Sequence, residues 1–184
     1  MLFRSWGPSD GKTDGGAVMN DPTQEVSQFL YREARFLDTR DWMAWLELFT
    51  EDAVFRVPAW KSEHDITTDP TRELSLIYCA SRTRMSERVQ RVLSGRSVAS
   101  IPLPRTQHAV SNVMVTQTDA SATVQANFTV HLFDLKKKDT NVFFGHSTYQ
   151  LLRVADDWRI RDKTAVLADR KSTRLNSSHM SESR

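Results

Sequence analysis

The apolar positions of this chain recur first with a helical period and later with a period of two. Asp21-Pro22-Thr23-Gln24 carries the marks of a helix start: an Asp that can cap, a Pro at the first helical position and a Gln able to close a capping box. Val26, Phe29, Leu30, Ala34 and Leu37 then share one helical face, and Arg32, Glu33 and Arg35 are assigned to the other. A second start at Asp41 leads into Trp42, Trp45, Leu46 and Phe49, a narrow and very apolar helical stripe. The pattern predicts two short helices joined through Asp38-Thr39-Arg40, then a short strand over Val54–Val57 that Pro58 ends.

Further on the period changes. Ser111, Val113 and Val115 alternate with Asn112, Met114 and Thr116, and Val124, Ala126, Phe128, Val130 and Leu132 alternate with polar neighbours. A turn at Lys136–Asp139, a strand over Val142–Val154, a turn at Asp156-Asp157 and a last strand follow. In that last strand Trp158 and Ile160 alternate with Arg159, Arg161 and Lys163. Links this short predict an antiparallel meander, because parallel pairing needs longer crossovers. Helices first and a long meander after make an α+β layout.

Between the two halves runs the stretch from Pro58 to His108, arginine-rich and broken by prolines. It still holds islands that favour burial: Trp60, the Leu74-Leu76-Ile77-Tyr78 cluster, and Val89, Val92 and Leu93 at helical spacing. Long irregular segments inside a compact domain are usually functional or form an interface. Guanidinium groups pair in a planar, bidentate way, and Arg and aromatic side chains are enriched at protein interfaces. Trp60, His64, Arg72, Tyr78, Arg82, Arg88, Arg91, Arg105 and His108 are therefore the candidates for contact with a partner subunit, with Arg84 and Arg96 completing the arginine cluster.

Composition narrows the classes. A length of 184 residues fits one domain with a real core. Residues 1–18 lack the apolar stretch of a signal peptide and are expected to be a disordered or non-native extension before Met19. Residues 19–168 are expected to form the single domain. From Asp169 the chain reads like an in-frame translation of a short-read sequencing adapter, so 169–184 are expected to be a disordered tail standing in place of the natural C-terminal continuation. The formal net charge is +2, and leaving out both ends leaves nineteen basic and nineteen acidic residues. A neutral domain is a poor binder of nucleic acid. No apolar run reaches the length of a membrane span. The single cysteine, Cys79, excludes an internal disulfide, fits a reducing cytoplasm and reads as a small buried apolar residue.

The inventory of chemical groups points away from catalysis. A Rieske centre takes two cysteines and two histidines, and one cysteine cannot build it. A mononuclear iron site takes two histidines and a carboxylate, and His64, His108, His131 and His146 lack the close spacing of a helical metal motif. Neighbours in Glu63-His64-Asp65 point to opposite sides of an extended segment and do not converge. His131 and His146 read as partner-contact and core residues. No catalytic, cofactor-binding or metal residue is expected in this chain.

The central words occur in a fixed order: Pro58-Ala59-Trp60, Ser62-Glu63-His64, Asp69-Pro70, Arg72-Glu73-Leu74-Ser75-Leu76-Ile77-Tyr78, Glu87-Arg88-Val89, and Pro104-Arg105-Thr106 with His108. In order and spacing they resemble the small (β) subunit of aromatic-ring-hydroxylating dioxygenases, most closely the anthranilate and benzoate branch, and the resemblance extends more loosely from about Gln24 to Leu167. It breaks at Cys79, Arg84 and Gln90, where the family more often has an aromatic, a glycine and an aromatic. The resemblance implies a cone-shaped NTF2-like fold, shared with nuclear transport factor 2 and ketosteroid isomerase. It also implies a non-catalytic subunit in an α3β3 hexamer. The large subunit would hold the Rieske [2Fe–2S] cluster and Fe(II), and NADH-derived electrons would serve the dihydroxylation of an aromatic acid. Two other readings stay open: a free-standing cone-fold dehydratase or isomerase using His108 with a carboxylate such as Asp38, and a small-ligand-binding cone domain.

Overall fold

A computed structural model describes residues 21–94, 102–117 and 120–169 of the chain. The first helix, α1 (Pro22–Thr39), starts where the sequence places it, with the Asp21 carboxylate accepting from the Thr23 amide at 2.9 Å. It stops at Arg40, whose backbone is left-handed. Helix α2 (Trp42–Glu47) is capped by Asp41 but is shorter than its apolar stripe predicts. Phe49 opens strand β1 (Phe49–Pro58) instead. Its ring still meets Trp45 edge to face, with centroids 4.9 Å apart, so the strand provides the burial that a longer helix would have given.

Strand β2 (Ser75–Cys79) and helix α3 (Arg82–Leu93) come from the central stretch. Strands β3 (Arg105–Gln117), β4 (Ser121–Asp134), β5 (Asp139–Val154) and β6 (Asp157–Leu167) follow as the predicted antiparallel meander. The six strands lie in the order β2-β1-β6-β5-β4-β3. The parallel pairing of β1 with β6 brings the N-terminal strand beside the C-terminal one, and local periodicity carries no information about it. The three helices pack on one face of the sheet over a core that includes Phe29, Leu30, Trp45, Met85, Leu151 and Trp158. Each of these side chains contributes about 1.5–3 kcal/mol on leaving water.

Two bulges reverse the inside–outside alternation. In β6, Leu151 pairs with Ile160 and Gln150 with Asp162, so Arg161 is the extra residue. Ile160 and Lys163, on opposite faces by simple alternation, therefore both turn inward. In β3 the register shifts between Ser111 and Met114, with Asn112 at a positive φ of 52°. The inward set thus passes from Thr106, His108 and Val110 to Val113 and Val115, and Ser111 faces out.

The central stretch is tied down by polar contacts more than by apolar ones. Trp60 and Ile66 form a β-bridge closing a short hairpin. The Ser62 hydroxyl accepts from the His64 and Asp65 amides at its tip. Arg56 donates to the Thr67 and Thr68 carbonyls, the latter at 2.8 Å. The Glu73 carboxylate accepts from the Thr68 and Asp69 amides and pairs with Lys61. Burial of the Leu74–Tyr78 island is only partial: Leu76 is buried, but Leu74 is 70% exposed and Tyr78 41%. Leu74 precedes β2, and β2 is an edge strand with a sheet neighbour on one side only. Arg96, the segment 1–18 and the tail from 170 onward lie outside the described residues. Among the described residues no helix is long and apolar enough to cross a membrane.

Candidate functional site

Glu33, assigned to the solvent face of the first helix, is buried at 2% exposure. It follows Phe29 by four positions and Leu30 by three, which puts it on the core stripe. Three donors surround its carboxylate. Lys163 Nζ lies 2.6 Å from Oε1, the Trp45 indole donates to Oε1 at 3.3 Å, and the Tyr149 hydroxyl donates to Oε2 at 3.1 Å. Burial alone would lower the Lys163 ammonium, but Glu33 and Tyr149 more than offset it and hold it above the usual lysine range. Burial and then the Glu33 charge push the Tyr149 phenol up, so it stays protonated and donates. The network is internally neutral.

Lys163 also borders a cavity of about 260 Å³ beneath α3. Its walls are apolar: Trp42 and Trp45 from α2, Phe55 from β1, Ile77 from β2, Met85 and Val89 from α3. The second cation on its wall is Arg88. Unlike Lys163, Arg88 has no carboxylate or hydrogen-bond partner among the described residues, and burial lowers its guanidinium from the usual range. The Cys79 thiol beside it is buried and pushed up, so it remains neutral. Sequence reasoning missed this cavity. Glu33 was legible from its spacing to Phe29 and Leu30, whereas Lys163 needed the bulge at Arg161.

On the outer side of α3, Tyr78, Arg84, Arg88 and Arg91 line one open recess of about 460 Å³. Arg84 pairs with Glu87 at 3.0 Å, and Arg91 is exposed. Arg82 is turned elsewhere, donating to the Phe49 carbonyl and facing Glu47 and Glu51. Arg105 at the start of β3 is exposed, Arg72 is exposed with Asp69 at 3.8 Å, and His64 is exposed at the hairpin tip. Trp60 is half-buried, and its indole donates to the Leu167 carbonyl at 2.7 Å, so it anchors its own hairpin to the end of β6.

His108 and Asp38 do meet. The His108 Nδ1 lies 2.6 Å from Asp38 Oδ1, and the carboxylate also accepts from the His108 amide at 2.9 Å and the Thr106 hydroxyl at 3.0 Å. A carboxylate can only accept, so Nδ1 carries the proton. Asp38 is thereby occupied in tying the end of α1 to β3, and neither residue lines the apolar cavity. His146, read from sequence as a core residue, is exposed, as is His131. His146 sits opposite Asn127 on the outer face of the sheet. Among the described residues no group of His, Cys, Asp and Glu side chains could hold a metal ion.

The geometry agrees with the kinship of the chain. The family described as the ring hydroxylating beta subunit matches residues 32–173. The chain is 36% identical over 146 residues to the anthranilate 1,2-dioxygenase small subunit of Acinetobacter baylyi, covering 79% of this chain and 89% of that one. It is 39% identical over 145 residues to the toluate 1,2-dioxygenase subunit beta of Pseudomonas putida, covering 78% and 88%. The crystal structure of the beta subunit of benzoate 1,2-dioxygenase from Burkholderia mallei superposes with a TM-score of 0.66 at 34% identity, over 80% of this chain and 90% of that one. The cone-shaped, NTF2-like α+β fold is therefore the one the family uses. By sequence and by fold, this chain belongs to the ring hydroxylating beta subunit family.

Proposed function

We propose that this chain is the non-catalytic small subunit of a cytoplasmic, NADH-dependent dioxygenase that hydroxylates the ring of an aromatic acid such as anthranilate or benzoate. It packs against large subunits in an α3β3 assembly, and those subunits hold the Rieske [2Fe–2S] cluster and the Fe(II). The observation that carries the reading is the recess beside α3. There the sequence gathers Tyr78, Arg84, Arg88 and Arg91 around one open surface, and Leu74, just before β2, and Leu93, at the end of α3, are exposed as well. Exposed apolar side chains among guanidinium groups suit a subunit contact better than a solvated face. Exposed Arg105 on β3 and the hairpin that Trp60 anchors are further candidate contacts elsewhere on the chain. The kinship to small subunits of anthranilate and toluate dioxygenases supports the substrate class.

Co-expression with a cognate large subunit tests it. The expected result is a stoichiometric, red-brown complex that hydroxylates an aromatic acid, while the chain alone turns nothing over. A colourless homodimer with dehydratase or isomerase activity of its own would overturn the proposal and return His108 and Asp38 to the role of an acid–base pair.

A further inference from the structure

The cavity beneath α3 has the wrong charge for a mere packing defect. Its apolar wall of Trp42, Phe55, Ile77, Met85 and Val89 is of a kind that stays dry. A guanidinium half-buried beside such a wall loses hydration, and no hydrogen bond or ion pair among the described residues returns it. Lys163 does not share the problem, because Glu33 neutralises it. Cys79 supplies no negative charge either, since its thiol is held protonated by burial. Arg88 stands where the cavity meets the open recess, so the otherwise apolar wall carries one positive charge that no described carboxylate pairs. Its volume of about 260 Å³ lies just below the roughly 300–1,000 Å³ of pockets for drug-sized ligands, which limits an occupant to about one ring.

We propose that this cavity binds a compact apolar monocarboxylate of single-ring size. The carboxylate sits on the Arg88 fork and the hydrocarbon body lies between the α2 tryptophans, Phe55 and Met85. Arg favours this role because its planar donors engage both carboxylate oxygens. A dianion does not fit, because only one charge is unpaired. A neutral ring of the same size leaves Arg88 without its partner. The site lies inside this chain's own fold and stands independently of the subunit role proposed above.

Benzoate is the probe, titrated into the full chain by calorimetry, with quenching of Trp42 and Trp45 fluorescence as the second readout. One saturable site with a dissociation constant near or below about 1 mM is expected. Acetate, which keeps the charge and drops the ring, should bind at least roughly tenfold more weakly. Arg88→Leu should weaken benzoate roughly ten- to a hundredfold, the worth of hydrogen bonds to a charged group, and leave binding of benzyl alcohol unchanged. Val92→Trp should weaken both ligands by filling the cavity rim, which separates occlusion from loss of charge. Circular dichroism on each variant confirms the fold. Absence of saturable benzoate binding, or equal affinity in wild type and Arg88→Leu, overturns the site. So does an Arg88→Leu chain that binds benzoate normally and fails only to assemble with the large subunit, since Arg88 would then be a subunit contact. A chain that binds benzoate through Arg88 yet forms no complex keeps the site and sinks the subunit role instead.

Discussion

Lys163 and Arg88 border the same cavity, and the protein treats their charges in opposite ways. Around Lys163 the fold supplies a buried carboxylate whose oxygens are met by an ammonium, an indole and a phenol. Around Arg88 it supplies apolar wall and a neutral thiol on the cavity side and an open recess on the other, with no described carboxylate bound to it. A buried charge network that closes on itself can only hold structure in place, because any newcomer has to displace a partner. An open cation is available to something that arrives later. Two cations of equal formal charge, a short way apart on one cavity, thus divide between architecture and recognition according to the company the fold gives them.

The largest expected effect breaks the closed half. Glu33→Ala leaves Lys163 buried without its anion and should cost about 3–5 kcal/mol. For a domain of this size that corresponds to a fall in Tm of roughly 6–20 °C. Replacing both partners, Glu33→Leu with Lys163→Met, should recover much of the loss, because an apolar pair of similar volume has no charge to strand. Thermal and urea unfolding of the three variants decide it. A double variant less stable than Glu33→Ala would mean that the ion pair itself, and not the stranded charge, carries the energy.

Next in size is the partner surface, where open charges are expected to act between chains. Trp60→Ala should weaken association with the large subunit by about 2–4 kcal/mol if the ring is a contact anchor. Because the indole also donates to Leu167, Trp60→Phe separates the two roles: it keeps a ring for the partner and gives up the internal bond. Arg105 makes no such side-chain bond among the described residues, so Arg105→Ala should reduce assembly while leaving unfolding of the isolated chain unchanged. Arg105→Lys should not restore assembly fully, since a point charge lacks the planar fork. Sedimentation with and without the large subunit, set beside thermal unfolding, reads both. Loss of chain stability with assembly intact would move these residues from the interface to the core.

A smaller effect sharpens the comparison directly. Arg88→Leu removes a cation with no ion-pair or hydrogen-bond partner among the described residues, so the isolated chain should change by no more than about 0.5 kcal/mol or gain stability. Lys163→Met alone, which strands Glu33, should destabilise it clearly. If the two cost the same, the neighbours of a buried cation do not decide its role and the contrast collapses.

The readable and unreadable parts of this chain divide along the same physical line. Short-range patterns were legible: the Asp21 and Asp41 caps, the meander from β3 to β6, the buried Cys79 and the helical spacing of Val89 and Val92. Phe49 was misread because an apolar residue one turn beyond a helix and one at the start of a strand look alike until the partner strand is known. Lys163 was misplaced because the bulge at Arg161 changes the parity of β6, and no local rule announces an inserted residue. Glu33 was misplaced for a different reason. Its position on the stripe was readable, but its three donors come from α2, β5 and β6, up to 130 residues away. The central words carried the kinship. The cavity they help enclose depends on long-range packing and could not be read from them.

Glu73 supplies the third condition of the comparison, a charge that is compensated but only partly buried. Its carboxylate accepts from the Thr68 and Asp69 amides and pairs with Lys61, so it clamps the segment between the Trp60 hairpin and β2. Lys61, then the two amides, hold it well below the usual carboxylate range, at about 2 against an ordinary 4.5. The folded form therefore favours the charged state. The clamp is fully present above about pH 4.5 and fades as the pH falls through the interval down to about 2. Because the group lies at the surface with part of its side chain in solvent, its loss should loosen the segment locally without moving the global transition. The Thr68 and Asp69 amide resonances should titrate with a midpoint near 2, and Glu73→Gln at neutral pH should speed hydrogen exchange at those two amides while Tm stays within error. A midpoint near 4.5 would show that the clamp is not formed in solution. A fall in Tm comparable to that of Glu33→Ala would show that pairing, without full burial, is enough to make a charge structural.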